Sequence, residues 1–147
     1  MKKFILLAGI ASAIIAAFIF FVWPYLKMEL ASSAYYNQND KREYDYYTPE
    51  LLKNMPRTSS SYAFEYGYVS GPEAYVFTVR FHGATDTGKI NNYLESSGYK
   101  HQTQCDVKAE CWRAPRSRDV VTVIKYTVPD SVAVQIYRSH YVEPYIE

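Results

Sequence analysis

An uncharged stretch near the amino terminus constrains this chain more than any other feature. Residues 4–26 form a run of 23 residues without a charged side chain, preceded by Lys2 and Lys3 and followed by Lys27. A helix of about 20 apolar residues crosses the roughly 30 Å hydrocarbon core of a bilayer. The stretch therefore predicts a single transmembrane helix, and residues 1–27 are expected to form a membrane anchor.

A cleaved secretory signal is the alternative interpretation of the same stretch. The apolar region of such a signal usually spans about 7–15 residues and ends at a small-residue cleavage site. Residues 11–13 (Ala-Ser-Ala) have a suitable composition, but the apolar sequence continues beyond them as far as Leu26. An uncleaved anchor fits the sequence better.

The charges that flank the stretch predict its orientation. Lys2, Lys3 and the free amino group precede it, whereas Lys27 on the other side is balanced by Glu29. Cytoplasmic flanks carry the excess of basic residues. We therefore expect a cytoplasmic amino terminus and an external remainder, which corresponds to the periplasmic side of a bacterial inner membrane.

The remainder of the chain has the charge of an ordinary globular domain. The chain has 16 basic and 15 acidic residues, and removing the three flanking lysines leaves 13 against 15, a net charge of −2 for residues 28–147. Nucleic-acid binding requires a basic face, so no nucleic-acid partner is expected. About 120 residues suffice for one domain with a single core.

The two cysteines predict a disulfide. Cys105 and Cys111 both lie in the part expected outside the cytoplasm, and an even pair in an oxidising compartment is typical of a disulfide. Redox motifs favour C-x-x-C, and zinc requires more ligands than two thiols and His101 supply. We therefore expect a structural disulfide at a hairpin tip, with no metal or other cofactor.

Sequence patterning predicts a small α+β domain over residues 62–141. Apolar and polar residues alternate with the period of two of half-buried strands, and the 16 tyrosines suit a sheet as well as an interface. Ile90, Tyr93 and Leu94 lie on one face of a predicted helix over residues 85–97. The predicted strands are residues 62–68, 75–81, 99–105, 111–114, 120–128 and 131–141.

The expected order of elements is β-β-α-β-β-β-β, an antiparallel sheet with one packed helix. Residues 28–61 are predicted to form a polar juxtamembrane stalk that contains one short helix, for which Thr48 and Pro49 provide a start signal. Residues 142–147 are predicted to form an irregular tail.

Catalytic signatures are absent from the sequence. It contains no G-x-S-x-G, no phosphate-binding glycine loop and no H-E-x-x-H. The three histidines, His82, His101 and His140, fall on different predicted elements, and the acidic residues are scattered singly. We expect no enzyme, because catalysis would require a pocket that gathers one of these histidines with an acid.

One local cluster predicts a binding surface. Trp112, Arg113, Arg116 and Arg118 directly follow the second cysteine, in the sequence CWRAPRSRD. Tryptophan and arginine are enriched in binding hot spots, and a loop held by a disulfide loses little entropy on binding. The alternative is a core tryptophan beside a solvated turn.

Two functions fit this organisation. The first is a membrane-anchored, periplasmic protein-binding module, most concretely an immunity-type protein that neutralises a secreted toxin at the envelope. The alternative is an accessory subunit of a secretion, transport or division complex. In that case the small residues Gly9, Ala13, Ala16 and Ala17 would support helix contacts within the membrane.

Overall fold

The computed structural model describes residues 1–105 and 107–146, and the chain divides into two compact units, Met1–Ala31 and Ser32–Glu147. The first unit consists of α1 (Lys2–Phe21) and α2 (Trp23–Leu30), whose second residue is a proline. Proline is tolerated there because first-turn N–H groups have no helical partner.

The helical segment Lys2–Leu30 has the length and composition of a membrane span. It comprises 29 residues, its most apolar window has a mean hydropathy of 2.8, and none of that window is buried. A signal sequence near an amino terminus has the same character. The predicted long apolar helix is therefore confirmed, whereas its insertion in a membrane stays a prediction.

The second unit is built on an antiparallel sheet. Its spatial order is β1-β2-β3-β7-β6-β5-β4. Across the centre of the sheet, Phe64 is paired with Val79, Val79 with Val134, and Val134 with Val123. All four side chains are buried, so this row forms the middle of the core. The strands are β1 (Ser33–Tyr36), β2 (Tyr62–Val69), β3 (Ala74–His82), β4 (Lys100–Gln102), β5 (Glu110–Arg113), β6 (Val120–Thr127) and β7 (Asp130–Ser139).

Three helices pack on the face that carries this row. They are α3 (Lys41–Tyr47), α4 (Glu50–Lys53) and α5 (Gly88–Ser96). The ring of Tyr47 stacks on that of Tyr66 in β2 at a centroid distance of 4.4 Å. The hydroxyl of Tyr93 in α5 donates a hydrogen bond to the carbonyl of Leu51 in α4. The helices therefore bury the aromatic and aliphatic side of the sheet, called here the core face.

The opposite face of the sheet carries polar pairs. Thr78 and Gln135 are joined by a hydrogen bond of 3.4 Å, and Arg80 lies 3.6 Å from the carboxylate of Glu65. The guanidinium of Arg80 also lies over the ring of Tyr126. Alternation along each strand places these side chains away from the helices.

The α+β prediction is confirmed, and each of the six predicted strands is present. The hairpin of β2 and β3 pairs as expected, over eight residue pairs. The helix predicted over residues 85–97 begins later, at Gly88, whose N–H donates to the side chain of Asp86. The strand expected over residues 99–105 is shorter and ends at Gln102.

The segment expected to be a stalk differs from the prediction. Residues 32–61 belong to the second unit, where they supply edge strand β1, helix α3 and the expected short helix α4. Tyr36 and Tyr47 are buried, because their rings pack on one another and on Phe64 and Tyr66. The expectation of one packed helix was wrong, since tyrosines within a polar sequence supply the apolar surface of α3.

The predicted disulfide is confirmed. Cys105 and Cys111 are bonded, and their Cα atoms lie 5.6 Å apart, within the usual range. The bond links the start of β5 to the loop after β4; Asp106 in that loop lies outside the described residues. A disulfide is typical of an oxidising, extracytoplasmic compartment.

Candidate binding site at one end of the sheet

A cleft of about 370 Å³ opens at the end of the sheet where β3 begins and β7 ends. We call it the Tyr–Arg cleft. It combines charged side chains with an aromatic wall. Its lining residues are Glu73, Tyr75, Arg118, Asp119, Arg138, Ser139 and His140.

Strand register brings two tyrosines and an arginine side by side at this end. Tyr68 of β2 is paired with Tyr75 of β3, and Tyr75 is paired with Arg138 of β7. The three residues continue the core face beyond its aliphatic centre. Tyr68 and Tyr75 are 37% and 40% exposed, and their ring centroids lie 5.2 Å apart. The end of the core face is therefore a partly solvated aromatic surface.

Arg138 is held in place by Asp119. The Nε and Nη2 atoms of Arg138 donate to the two carboxylate oxygens of Asp119, at 2.8 and 2.7 Å. This hydrogen bonding raises the pKa of Arg138, because it favours the charged form. The guanidinium also lies over the ring of Phe77, at 5.4 Å. Such a bidentate pair has a defined geometry, which limits the motion of a long side chain.

The turn between β2 and β3 closes one side of the cleft. The hydroxyl of Ser139 donates a 2.8 Å hydrogen bond to the carbonyl of Pro72, which ties the end of β7 to this turn. Glu73 follows with a φ of 46°. This left-handed conformation is uncommon for a residue other than glycine, and here it places a glutamate on the rim of the cleft.

Arg118 reaches the cleft from the loop between β5 and β6. Its side chain is exposed, and Nη1 donates to the carbonyl of His140 at 3.2 Å. Since β7 ends at Ser139, this bond fixes Arg118 against the chain that leaves the sheet. Arg118 is the one residue of the predicted binding cluster that lines the Tyr–Arg cleft.

The other members of the predicted cluster lie elsewhere. Trp112 is only 6% exposed and packs edge to face against His101, with centroids 5.1 Å apart. Arg113 donates through Nη2 to the carbonyl of Glu143, at 2.7 Å, and lies over the ring of Tyr145. Trp112 therefore contributes to packing, and Arg113 binds the carboxy-terminal tail of the same chain.

Arg116 takes part in the same tail contact through its backbone. Its N–H donates to the carbonyl of Tyr145, and the N–H of Tyr145 donates to the carbonyl of Ser117. The φ of Arg116 is 61°, and its side chain is exposed. The tail predicted to be irregular is therefore bound to the loop after β5 over Glu143 and Tyr145.

Sequence reasoning missed Tyr68, Tyr75, Asp119 and Arg138 as site residues. One signal for Arg138 was present: it continues the alternation of Val134 and Ile136, so it occupies a core-face position with a charged side chain. A charged residue at such a position requires a partner. The sequence does not predict which residue is that partner, because Asp119 lies 19 residues earlier in the chain.

The three histidines are not gathered in one pocket, although His140 lines the Tyr–Arg cleft together with the acids Glu73 and Asp119. His82 ends β3, whereas His140 follows β7 at the other end of the sheet, because β3 and β7 are antiparallel. His101 lies on the edge strand β4. Within residues 1–105 and 107–146, no group of three or more His, Cys, Asp or Glu side chains could hold a metal ion.

The fold and the cleft define the class of this protein as an α+β domain with an antiparallel sheet and a mixed aromatic and charged surface at one end. No protein-family model matches the chain, and no curated protein or solved structure resembles it significantly. The functional argument consequently rests on the geometry of the chain itself.

Proposed function

We propose that this protein is a membrane-anchored binding module that captures another protein at the Tyr–Arg cleft. One observation carries the proposal: two tyrosines and two arginines with partly exposed side chains meet at one end of the sheet. They are Tyr68, Tyr75, Arg118 and Arg138. Tyrosine and arginine are enriched among the residues that dominate binding energy. Tyrosine also offers a large contact area at a small entropic cost.

The rigidity of the cleft supports this function. Asp119 holds Arg138, and the hydrogen bond from Ser139 to Pro72 holds the neighbouring turn. A surface that is already ordered loses less conformational entropy when a partner binds. A small ordered cleft can therefore bind a partner more tightly than a mobile surface of the same size.

The concrete form of the proposal is an immunity-type protein of a bacterial inner membrane. Its amino terminus lies in the cytoplasm and its sheet domain in the periplasm, where it neutralises a toxin that arrives at the envelope. The long apolar helix and the disulfide support this placement. An anchor would raise the effective concentration of the domain at the membrane surface.

Site-specific photocrosslinking tests the proposed surface. Tyr75 and, separately, Tyr126 are replaced by p-benzoyl-phenylalanine in the full-length protein within intact cells. The two positions are 40% and 41% exposed, but Tyr126 lies on the opposite face of the sheet. We expect an adduct with one envelope or delivered protein from position 75 and none from position 126. The same adduct from both positions, or none from position 75, would contradict the proposal.

Replacing residues 1–27 with an unrelated membrane anchor tests the alternative of an accessory subunit. A tethered module should keep the position-75 adduct, because its contacts lie in the sheet domain. Loss of the adduct with an unrelated anchor of equal expression would favour a subunit whose span makes specific helix contacts.

A further inference from the structure

We infer that the Tyr–Arg cleft binds a single carboxylate of the partner, from an aspartate or glutamate that adjoins an aromatic side chain, and that Arg118 is its main contact. This inference rests on the proposed function and adds the chemistry of the bound group. It follows from which charged side chains of the cleft are already paired within the chain and which are not.

The positive charge of Arg118 is available to a ligand. Within the described part of the chain, its one side-chain hydrogen bond uses Nη1 and goes to a backbone carbonyl, that of His140. Among residues 1–105 and 107–146, no ion pair involves Arg118. The exposed guanidinium therefore retains Nη2 and Nε as donors, and a planar fork of donors suits a carboxylate.

Arg138 contributes in a different way. Two of its nitrogens are occupied by Asp119, and its charge is balanced by that carboxylate. Arg138 therefore helps to fix the lining of the cleft, where Asp119 holds it. The strong attraction for an anion comes from Arg118.

The aromatic part of the ligand follows from the wall of the cleft. Tyr75 lines the cleft, and Tyr68 extends its ring surface outward. An aromatic side chain next to the bound carboxylate would pack on these rings, where offset or edge contacts are favourable. The volume of about 370 Å³ lies at the small end of the range for ligand pockets, which suits a ligand group of limited size.

Glu73 limits the charge of the ligand. The cleft contains two arginines, Arg118 and Arg138, against two acids, Asp119 and Glu73, so its formal charges balance. One added carboxylate can pair with Arg118. A phosphate dianion would carry a second charge toward the Glu73 rim, where like charges repel. The balance therefore favours a partner carboxylate over a phosphate.

The test uses ¹⁵N-labelled full-length protein in non-ionic detergent micelles and two peptides, N-acetyl-Phe-Glu-amide and N-acetyl-Phe-Gln-amide. We expect the glutamate peptide to cause saturable chemical-shift changes at the Arg118 side-chain Nε–Hε and at the Tyr75 amide, with millimolar affinity. The glutamine peptide and inorganic phosphate should bind at least about fivefold more weakly. Equal shifts with all three probes, or none with the glutamate peptide, would overturn the inference.

Charge variants sharpen the test. Arg118→Gln should weaken binding of the glutamate peptide about fivefold to tenfold, whereas Arg116→Gln, the same charge change in the same loop outside the cleft, should leave it unchanged. Glu73→Gln should strengthen it about twofold. Unchanged binding of the glutamate peptide to Arg118→Gln, or equal weakening by Arg116→Gln, would overturn the inference. A position-75 crosslink that persists in that case leaves the proposed function standing.

Discussion

Individual tyrosines decide how this sheet domain is assembled. The buried ring of Tyr36 stacks on Phe64, and its hydroxyl lies 3.0 Å from that of Thr48. Burial is the main cause that raises the pKa of Tyr36, to about 12. The same residue type is used at the Tyr–Arg cleft with its ring partly exposed, as at Tyr75.

The raised pKa of Tyr36 predicts a loss of stability at alkaline pH. The unfolded chain, with the ordinary tyrosine pKa of 10.0, releases its proton first, so the free energy of unfolding should be intact below pH 10 and fall between pH 10 and about 12. The total loss from this group is on the order of 2 kcal/mol. Urea unfolding at pH 8 and pH 11 should show about half of this loss, because pH 11 lies midway between the two pKa values. Tyr36→Phe should show a shallower decline, and an equal decline would contradict this assignment.

The Arg138–Asp119 pair is expected to make a measurable contribution to stability. Asp119→Asn removes the charge while keeping an acceptor, and we expect the free energy of unfolding to fall by about 0.5–1 kcal/mol. Glu50→Gln is a matched control, because Glu50 lies 3.3 Å from its partner Lys53 and its side chain is 78% exposed. Urea denaturation should show a change near zero for the control. Equal effects of the two substitutions would contradict the special role of the bidentate geometry.

At the scale of elements, the ends of the sheet are completed by irregular chain. The segment after β7 is bound to the loop between β5 and β6, through Arg113, Arg116 and Ser117. Part of the arginine-rich segment that resembles a ligand site in the sequence thus binds the tail of the same chain, through the Arg113 side chain and the Arg116 backbone. Only Arg118 is turned toward the Tyr–Arg cleft.

Arg113→Ala should release this segment. The substitution removes a charge-assisted hydrogen bond to the carbonyl of Glu143 and the contact with the ring of Tyr145. We expect chymotrypsin to cleave after Tyr145 several-fold faster, because local opening becomes easier. Mass spectrometry over a digestion time course gives the rate. Arg116→Ala keeps the backbone bonds and should cleave at the parental rate; a similar acceleration in both variants would contradict the role of the Arg113 side chain.

At the scale of the whole molecule, the apolar helix and the disulfide together bear on where the protein is located. The segment Lys2–Leu30, whose most apolar window has a mean hydropathy of 2.8, is suited to a bilayer, and the bonded pair Cys105–Cys111 is suited to an oxidising compartment. Both features are compatible with the proposed orientation: the helix has the character of an anchor or a signal sequence, and the disulfide is typical of an extracytoplasmic compartment.

Cysteine labelling in intact cells tests that orientation. We expect Cys105 and Cys111 to resist maleimide until a reductant is added, and then to react with a membrane-impermeant maleimide. Cys111 is buried, so mild urea is included equally in all samples to expose it. Labelling that requires disruption of the inner membrane would contradict the periplasmic placement. A protein tagged with a cytoplasmic cysteine serves as the control.

Sequence alone determined the long apolar helix, the disulfide and six of the seven strands of the described sheet, because each depends on a local pattern of hydrophobicity, spacing or residue type. It did not reveal β1 or α3, whose polar composition hides the tyrosines that pack them. The Tyr–Arg cleft was decided only by tertiary structure. Tyr68 and Tyr75 are neighbours across the hairpin of β2 and β3, but Arg138 lies far along the chain, and only the long-range pairing of β3 with β7 places it beside them.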